Sequence, residues 1–355
     1  MKMRAARIHE WQQPLELDEV PVPDPAPNQV LIKVIACGMC RSDYQLLDGY
    51  FRAGLPVDLP FIPGHEIAGT IAGLGSQVPK GAVSEGDFIV LDPNWGDGAC
   101  RQCHEGNQQL CSNGHLVGFG PNGGFAEYVV APYDHVIPVG HLKDQKPEYL
   151  APLVDAGVTP YRGLKKLRAA GKLSAGSTVV VTGVGGLGGY GVQYAGLLGG
   201  GATVVAFARS EDKLAMAREN GADHTVNVRD KTVEHVQDEL EQLTGRRTVE
   251  AVLDCAGSPE SLNLAASILG TEGALSQVGL MGTKVELPLF PFVSGEKSYF
   301  GSFWGNYNDM QEVLALAGEG KIKHHIVPVR LDDINDTLQA LGRGEIVGRA
   351  VVVFD

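Results

Sequence analysis

Residues 178–199 read T-V-V-V-T-G-V-G-G-L-G-G-Y-G-V-Q-Y-A-G-L-L-G, and no other stretch constrains the fold as tightly. A β-favouring run enters Gly183-x-Gly185-x-x-Gly188, with Gly186 and Leu187 between, and an apolar segment long enough for a helix follows. A glycine-rich loop alone is an ordinary turn. Set between a strand and a helix, this spacing is a dinucleotide fingerprint. The first glycine permits the tight turn, and the second lets a pyrophosphate approach the backbone. The third lets helix and strand pack closely, and the helix N-terminus then offers free N–H groups and a positive dipole end to the phosphates.

At 355 residues the chain predicts two domains. Its net charge of -13 argues against nucleic acid or an acidic membrane as a partner, since either needs a basic face. No apolar run approaches membrane-spanning length, and the basic first ten residues lack the apolar core of a signal peptide. A cytoplasmic location is therefore expected. The six cysteines are not spaced as a secreted disulfide framework, and three of them crowd between positions 100 and 111.

Taken in order, the first 150 residues read as short strands and proline-rich turns, with no helical period before Lys146. From Leu173 strands and helices alternate, which implies a doubly wound parallel sheet. Residues 298–355 are expected to return to the N-terminal domain. The resulting division is 1–154 with 298–355, and 155–297.

Two groups carry metal chemistry. Cys100, Cys103 and Cys111 give three thiols in one short loop, and the same three-residue step backwards lands on Asp97. Three thiolates and a carboxylate carry the charge of a four-thiolate structural zinc site. His104 is the alternative fourth donor, though its position beside Cys103 is a poor one. Cys40 and His65 make no motif by spacing alone. Their context is Cys40-Arg41-Ser42-Asp43 and Gly64-His65-Glu66, upstream of the glycine loop.

With Pro152–Tyr161 (P-L-V-D-A-G-V-T-P-Y), the order of these motifs resembles the zinc-dependent alcohol dehydrogenases of the medium-chain dehydrogenase/reductase superfamily over essentially the whole chain. The resemblance implies an α/β protein: a GroES-like β-barrel catalytic domain and a Rossmann-fold coenzyme domain. It also implies two zinc ions per chain, one catalytic and one structural. Cys40, His65 and Asp155 are the implied catalytic ligands. The alternative for Asp155 is a helix N-cap ahead of residues 156–162. Asp43 would orient His65 through its ring N–H, and Glu66 would stand behind the ligands or act as an exchangeable one. The metal would acidify an alcohol ahead of hydride transfer to nicotinamide. Ser42 would relay the proton, because the position where some members carry a histidine is Gln45, which cannot titrate.

The second Rossmann strand normally ends in an acidic residue that binds the adenosine ribose. Here residues 204–207 are followed by Ala208-Arg209-Ser210, which predicts NADP over NAD, since Arg209 and Ser210 can bind a 2′-phosphate. Glu211 weakens that preference, and Arg209 can alternatively be a plain surface charge. By the same resemblance Arg41 and Arg349 contact the pyrophosphate, and Thr159 and Leu280 lie near the nicotinamide. Trp95, Phe119 and the Phe303-Trp304 pair are candidates for an apolar pocket suited to secondary alcohols or bulky ketones, or else for core or subunit contacts. A small-molecule alcohol, ketone or aldehyde is the expected partner. The family implies a homo-oligomer, a tetramer ahead of a dimer, joined at a last strand near Tyr299 and Phe303. A zinc-free reductase of the same superfamily and a non-catalytic crystallin-like protein are the rival readings; the three ligands speak against both.

Overall fold

The apolar run before the glycine loop forms strand Thr178–Thr182, buried at every position, as a strand at the centre of a parallel sheet must be. The computed structural model describes residues 1–354 other than Pro56 and divides into two units. Ala156–Gly305 is one. Its six strands are all parallel, in the order His224–Asn227, Thr203–Ala208, Thr178–Thr182, Val249–Asp254, Leu269–Gln277, Ser298–Gly301. Numbered along the chain this is 3-2-1-4-5-6, the Rossmann order. Helices Gly186–Leu198, Glu211–Glu219, Val233–Thr244 and Pro259–Ile268 supply crossovers. The core under the sheet centres on Phe207, Val205, Val252, Leu240 and Ile268.

Strand Ser298–Gly301 pairs with Leu269–Gln277 and forms an edge of this sheet. The division therefore falls at Gly305 rather than at 297. Four residues are too few to carry a period that would separate an edge strand from the returning segment.

Met1–Asp155 and Asn306–Asp355 make the other unit. Its seven-stranded sheet runs Ile326–Val329, Arg349–Val353, Gln29–Gly38, Glu66–Leu74, Phe88–Leu91, Val136–Pro138, with Tyr128–Pro132 also paired to Gln29–Gly38. The long strand Gln29–Gly38 organises it. Its last residue, Gly38, pairs with Glu66 on one side and Val351 on the other. That register brings the C-terminal strand to the residues around His65.

The expectation of no helix before Lys146 fails here. Helix Arg41–Leu47 begins directly after Cys40, whose backbone N–H donates to Asp43 Oδ2 at 2.7 Å. Seven residues span barely two turns, so no hydrophobic period shows; the readable signal was the acidic residue three places after the cap. Among the described residues no helix is long and apolar enough to cross a membrane.

Candidate active site and coenzyme loop

The donor atoms of Cys40, His65 and Asp155 all lie within 4.8 Å of one another. Each is delivered by a different local device. Cys40 is the N-cap of Arg41–Leu47, His65 immediately precedes strand Glu66–Leu74, and Asp155 ends the turn Ala151–Val154. Asp155 is not a helix N-cap, since helix Val158–Ala169 is capped by Gly157. His65 is fully buried, with Asp43 Oδ1 3.3 Å from Nδ1 and Asp155 Oδ2 3.4 Å from Nε2. Burial opposes its charge, but the Asp43 charge and contacts with Asp155, Asp43 and Cys40 raise its pKa well above the usual value. Burial likewise works against ionised Asp155, but His65 and Arg349 hold its carboxyl well below the ordinary range.

Arg349 ties this cluster together. Its guanidinium donates to both Glu66 oxygens, from Nε at 2.9 Å and from Nη2, and Nη2 also donates to Asp155 Oδ2 at 3.1 Å. Burial pushes the Glu66 carboxyl up to about 7, against the pull of Arg349. The pyrophosphate contact expected of Arg349 is not the one it makes here: the side chain is buried among carboxylates. Gly38 makes the room, because a Cβ there would sit 1.8 Å from Glu66 Oε2. Arg41 lies in the first turn of its helix and donates to the Leu341 carbonyl at 3.0 Å. Ser42 is the next residue, partly buried, and Gln45 is buried one turn on.

Phe119 packs against the His65 ring, centroids 5.2 Å apart, and Phe51 meets Phe119 edge-on at 5.6 Å. Tyr50 meets Phe51 edge-on at 4.9 Å. Sequence reading found Phe119 but missed Phe51, which sits in a loop with no pattern. Trp95 is buried in the short hairpin with His115–Leu116, its indole N–H donating to the Asp92 carbonyl. Trp304 is buried and Phe303 half-exposed; both belong to the second unit and stack at 5.2 Å.

A second donor group lies in a surface lobe of the first unit. Asp97, Cys100, Cys103 and Cys111 converge within 4.8 Å, with Cys100 Sγ 3.6 Å from Cys103 Sγ and 3.7 Å from Cys111 Sγ, and Asp97 Oδ1 3.5 Å from Cys103 Sγ. These spacings are edges of a tetrahedron with ligands about 2.0–2.3 Å from its centre, the zinc distances. Backbone N–H groups of Ala99 and Cys100 and the Asn113 amide hold the Asp97 carboxyl well below its ordinary range. Burial and the neighbouring thiols push Cys103 up to about 12. Three thiolates and a carboxylate cannot share such a volume without a cation, so the donor set fits a metal. His104 is exposed and outside the converging group.

In the second unit Gly183 has φ +80, and its N–H donates to the Phe207 carbonyl at 2.9 Å. A Cβ on Gly188 would lie 2.3 Å from the Gly183 oxygen, whereas one on Gly185 would meet nothing within 4 Å. Turn, open approach and close packing thus fall on the three glycines as a pyrophosphate cradle requires. Gly186 and Leu187 open the helix, both partly buried. Thr159 is buried in Val158–Ala169, and Leu280 is half-exposed beyond Leu269–Gln277. Arg209 and Ser210 follow Thr203–Ala208, Ser210 as N-cap of Glu211–Glu219.

A two-unit oxidoreductase with a dinucleotide loop and two metal-ready donor sets is the class this describes. The comparisons agree: residues 26–141 match the alcohol dehydrogenase GroES-like domain and 186–319 the zinc-binding dehydrogenase domain. The chain is 34% identical to D-arabinose 1-dehydrogenase (NADP(+)) of Saccharolobus solfataricus, over 99% of this chain and 98% of that one. It is 33% identical to the NAD-dependent alcohol dehydrogenase of Sulfurisphaera tokodaii, over 99% and 100%. The crystal structure of the Aeropyrum pernix alcohol dehydrogenase superposes with a TM-score of 0.90 at 36% identity, covering 99% of this chain and all of that one. The chain belongs to the zinc-type alcohol dehydrogenases of the medium-chain dehydrogenase/reductase superfamily. Its two units are a GroES-like and a Rossmann domain, and its activity is NAD(P)-linked oxidoreduction at CH–OH with zinc.

The glycine geometry separates two kinds of substitution. Gly188→Ala should cost about 1–3 kcal/mol, as overpacking does, and lower the thermal midpoint. Gly185→Ala should unfold like wild type while weakening coenzyme binding measured by fluorescence titration; unaltered binding would remove Gly185 from the cradle.

Proposed function

We propose that this enzyme interconverts secondary alcohols and ketones bearing apolar substituents, using NADP(H) in preference to NAD(H). The observation that carries the reaction is the convergence of Cys40, His65 and Asp155 on one point, with a mutual spacing suited to tetrahedral zinc. Asp97, Cys100, Cys103 and Cys111 would hold the structural ion. When bound, the catalytic zinc supplies Lewis acidity toward an alcohol or carbonyl oxygen. The surrounding side chains do the rest. Asp43 fixes the ring of His65 through Nδ1, and Arg349 pins Asp155 while neutralising Glu66. Ser42 Oγ would accept the proton of the substrate hydroxyl while handing its own hydroxyl proton on to water, since Gln45 is an amide and cannot titrate where a histidine could.

Metal analysis with ketone reduction tests this. Wild type should hold about two zinc ions per chain, and Asp155→Ala and Asp97→Ala about one each. Asp155→Ala should lose at least about a hundredfold in turnover. Retention of both ions and of activity in Asp155→Ala would remove it from the site. Active wild type free of zinc would favour the zinc-free reductase.

The substrate class rests on the aromatic wall of Phe119 against His65 and Phe51 against Phe119. Such a wall gains from burying hydrocarbon and has little to offer a polyol. Phe51→Ala should raise KM for an aryl or branched ketone about tenfold and leave acetone within about twofold. Equal effects on both would take Phe51 out of the pocket.

NADP(H) preference is supported by Ala208, Arg209 and Ser210 at the end of the second Rossmann strand. Glu211, which could have favoured NAD, is held by Arg218 through an ion pair along its own helix. Of the two relatives, one is named for NADP and one for NAD.

The assembly we assign is a homo-oligomer, tetrameric ahead of dimeric, in the cytoplasm, whose reducing poise keeps the lobe cysteines as thiols. Strand Ser298–Gly301 leaves one edge of its sheet open, and Leu289, Phe290 and Val293 nearby are more than three-quarters exposed. Exposed edges and apolar faces of that kind invite self-pairing. Light scattering should return a multiple of the single-chain mass, and Phe290→Asp should reduce it; a monomeric wild type would refute the assignment.

A further inference from the structure

Strands Thr203–Ala208 and His224–Asn227 are parallel neighbours, and their last residues, Ala208 and Asn227, are paired in register. Their carboxyl ends therefore project two loops side by side at the edge where α/β sheets bind ligands. Arg209 leads one loop and Arg229 the other. Arg229 Nε donates to the Arg209 carbonyl at 2.7 Å, and the Arg229 backbone N–H to Asn227 Oδ1 at 3.0 Å. No carboxylate among the described residues is within ion-pair distance of either guanidinium, and the terminal nitrogens of Arg229 carry no hydrogen bond there. Three other arginines of this unit make a contrast. Arg218, Arg246 and Arg247 are each paired with acidic side chains. In a chain of net charge -13, two arginines without an ion pair at adjoining strand ends stand out.

We propose that Arg229 is a specificity-determining residue for the coenzyme: with Arg209 it forms a two-guanidinium clamp for the 2′-phosphate of NADP(H). The inference rests on the NADP(H) reading above and adds a residue from the third Rossmann strand, which the glycine fingerprint does not reach. Its chemistry follows from the bonds present. Nε of Arg229 is committed to the Arg209 carbonyl, which fixes the plane of the guanidinium and the path of the loop carrying Arg209. The two terminal nitrogens stay available for phosphate oxygens, in the paired geometry that phosphate recognition favours. Ser210 adds a hydroxyl, since its side chain makes no bond to the helix it caps. Glu260, across the strand ends, is within electrostatic reach of Arg209, but its carboxylate is bonded to its own backbone N–H and to Ser258.

The test uses the zinc-loaded enzyme and compares wild type, Arg229→Ala and Arg209→Ala. KM is measured for NADPH and NADH with one ketone, alongside inhibition by 2′,5′-ADP and by 5′-AMP. Arg229→Ala should raise KM for NADPH about tenfold or more and weaken 2′,5′-ADP to match. KM for NADH and inhibition by 5′-AMP should stay within about twofold, with the thermal midpoint unchanged. If wild type prefers NADPH and Arg229→Ala leaves the coenzyme ratio unaltered, the clamp is wrong and the NADP(H) reading survives. If Arg229→Ala weakens both coenzymes equally, Arg229 only braces the loop, and the proposal falls. A wild type that prefers NADH overturns the NADP(H) reading and the clamp with it.

Discussion

The interaction on which the first unit depends is the contact of Arg349 with Glu66 and Asp155, partners 283 and 194 residues away in sequence. Three carboxylates, those of Asp43, Glu66 and Asp155, are buried beside His65. Leaving one such charge uncompensated in a protein interior costs about 3–5 kcal/mol. The compensating cation comes from the far end of the chain, on a strand that pairs with Gln29–Gly38. This gives a physical reason for a discontinuous domain: the last strand brings the cation that makes the acidic interior tolerable. It also explains Gly38, since a side chain at that position would occupy the volume of the Glu66 carboxylate.

The same cluster is balanced for either metal or protons. Counting formal charges, Asp43, Glu66 and Asp155 with Arg349, a protonated His65 and a Cys40 thiol sum to one negative charge. With a divalent ion, neutral His65 and a Cys40 thiolate, the sum is again one. A buried site tolerates an exchange that leaves its net charge unaltered far better than one that adds charge. The acidic surroundings also draw the His65 pKa upward, against the effect of burial. In the proposed metal site, entry of the ion would therefore be coupled to proton release, with Asp155 and Glu66 held by Arg349 and Asp43 by the helix cap at Cys40.

The parallel sheet was legible because it rests on long apolar runs and a glycine spacing with few other uses. The lobe donors were legible because Cys100, Cys103 and Cys111 are close in sequence. Cys40, His65 and Asp155 are not, and only resemblance to a family joined them; no spacing rule brings residue 155 to residue 40. Helix Arg41–Leu47 was hidden by its length; a last strand near Tyr299 was expected from the resemblance, but four residues were too few to show on which side of the domain division it falls. Arg349 was assigned to the pyrophosphate by resemblance to arginines of the family. Its burial among carboxylates follows from strand register, which sequence does not display. Phe51 and Arg229 were missed for a related reason: each acts from a loop, and its role depends on which strand end or ring lies beside it.

The coenzyme end of the Rossmann sheet shows how little the charge of a whole chain says about one site. Long-range repulsion from a net charge of -13 should disfavour a polyanionic dinucleotide. At physiological salt, however, charges beyond about 8 Å are largely screened. In the proposed binding mode, what the ligand would meet is therefore set by its immediate neighbours: the helix N-terminus after Gly185, and Arg209 and Arg229 at adjoining strand ends. Near them, the Glu211 carboxylate is turned onto Arg218, so that part of the acidity is already spent within the fold. An acidic surface and a phosphate-binding edge can therefore coexist, provided acidic side chains near the edge have partners of their own and the arginines facing the ligand do not.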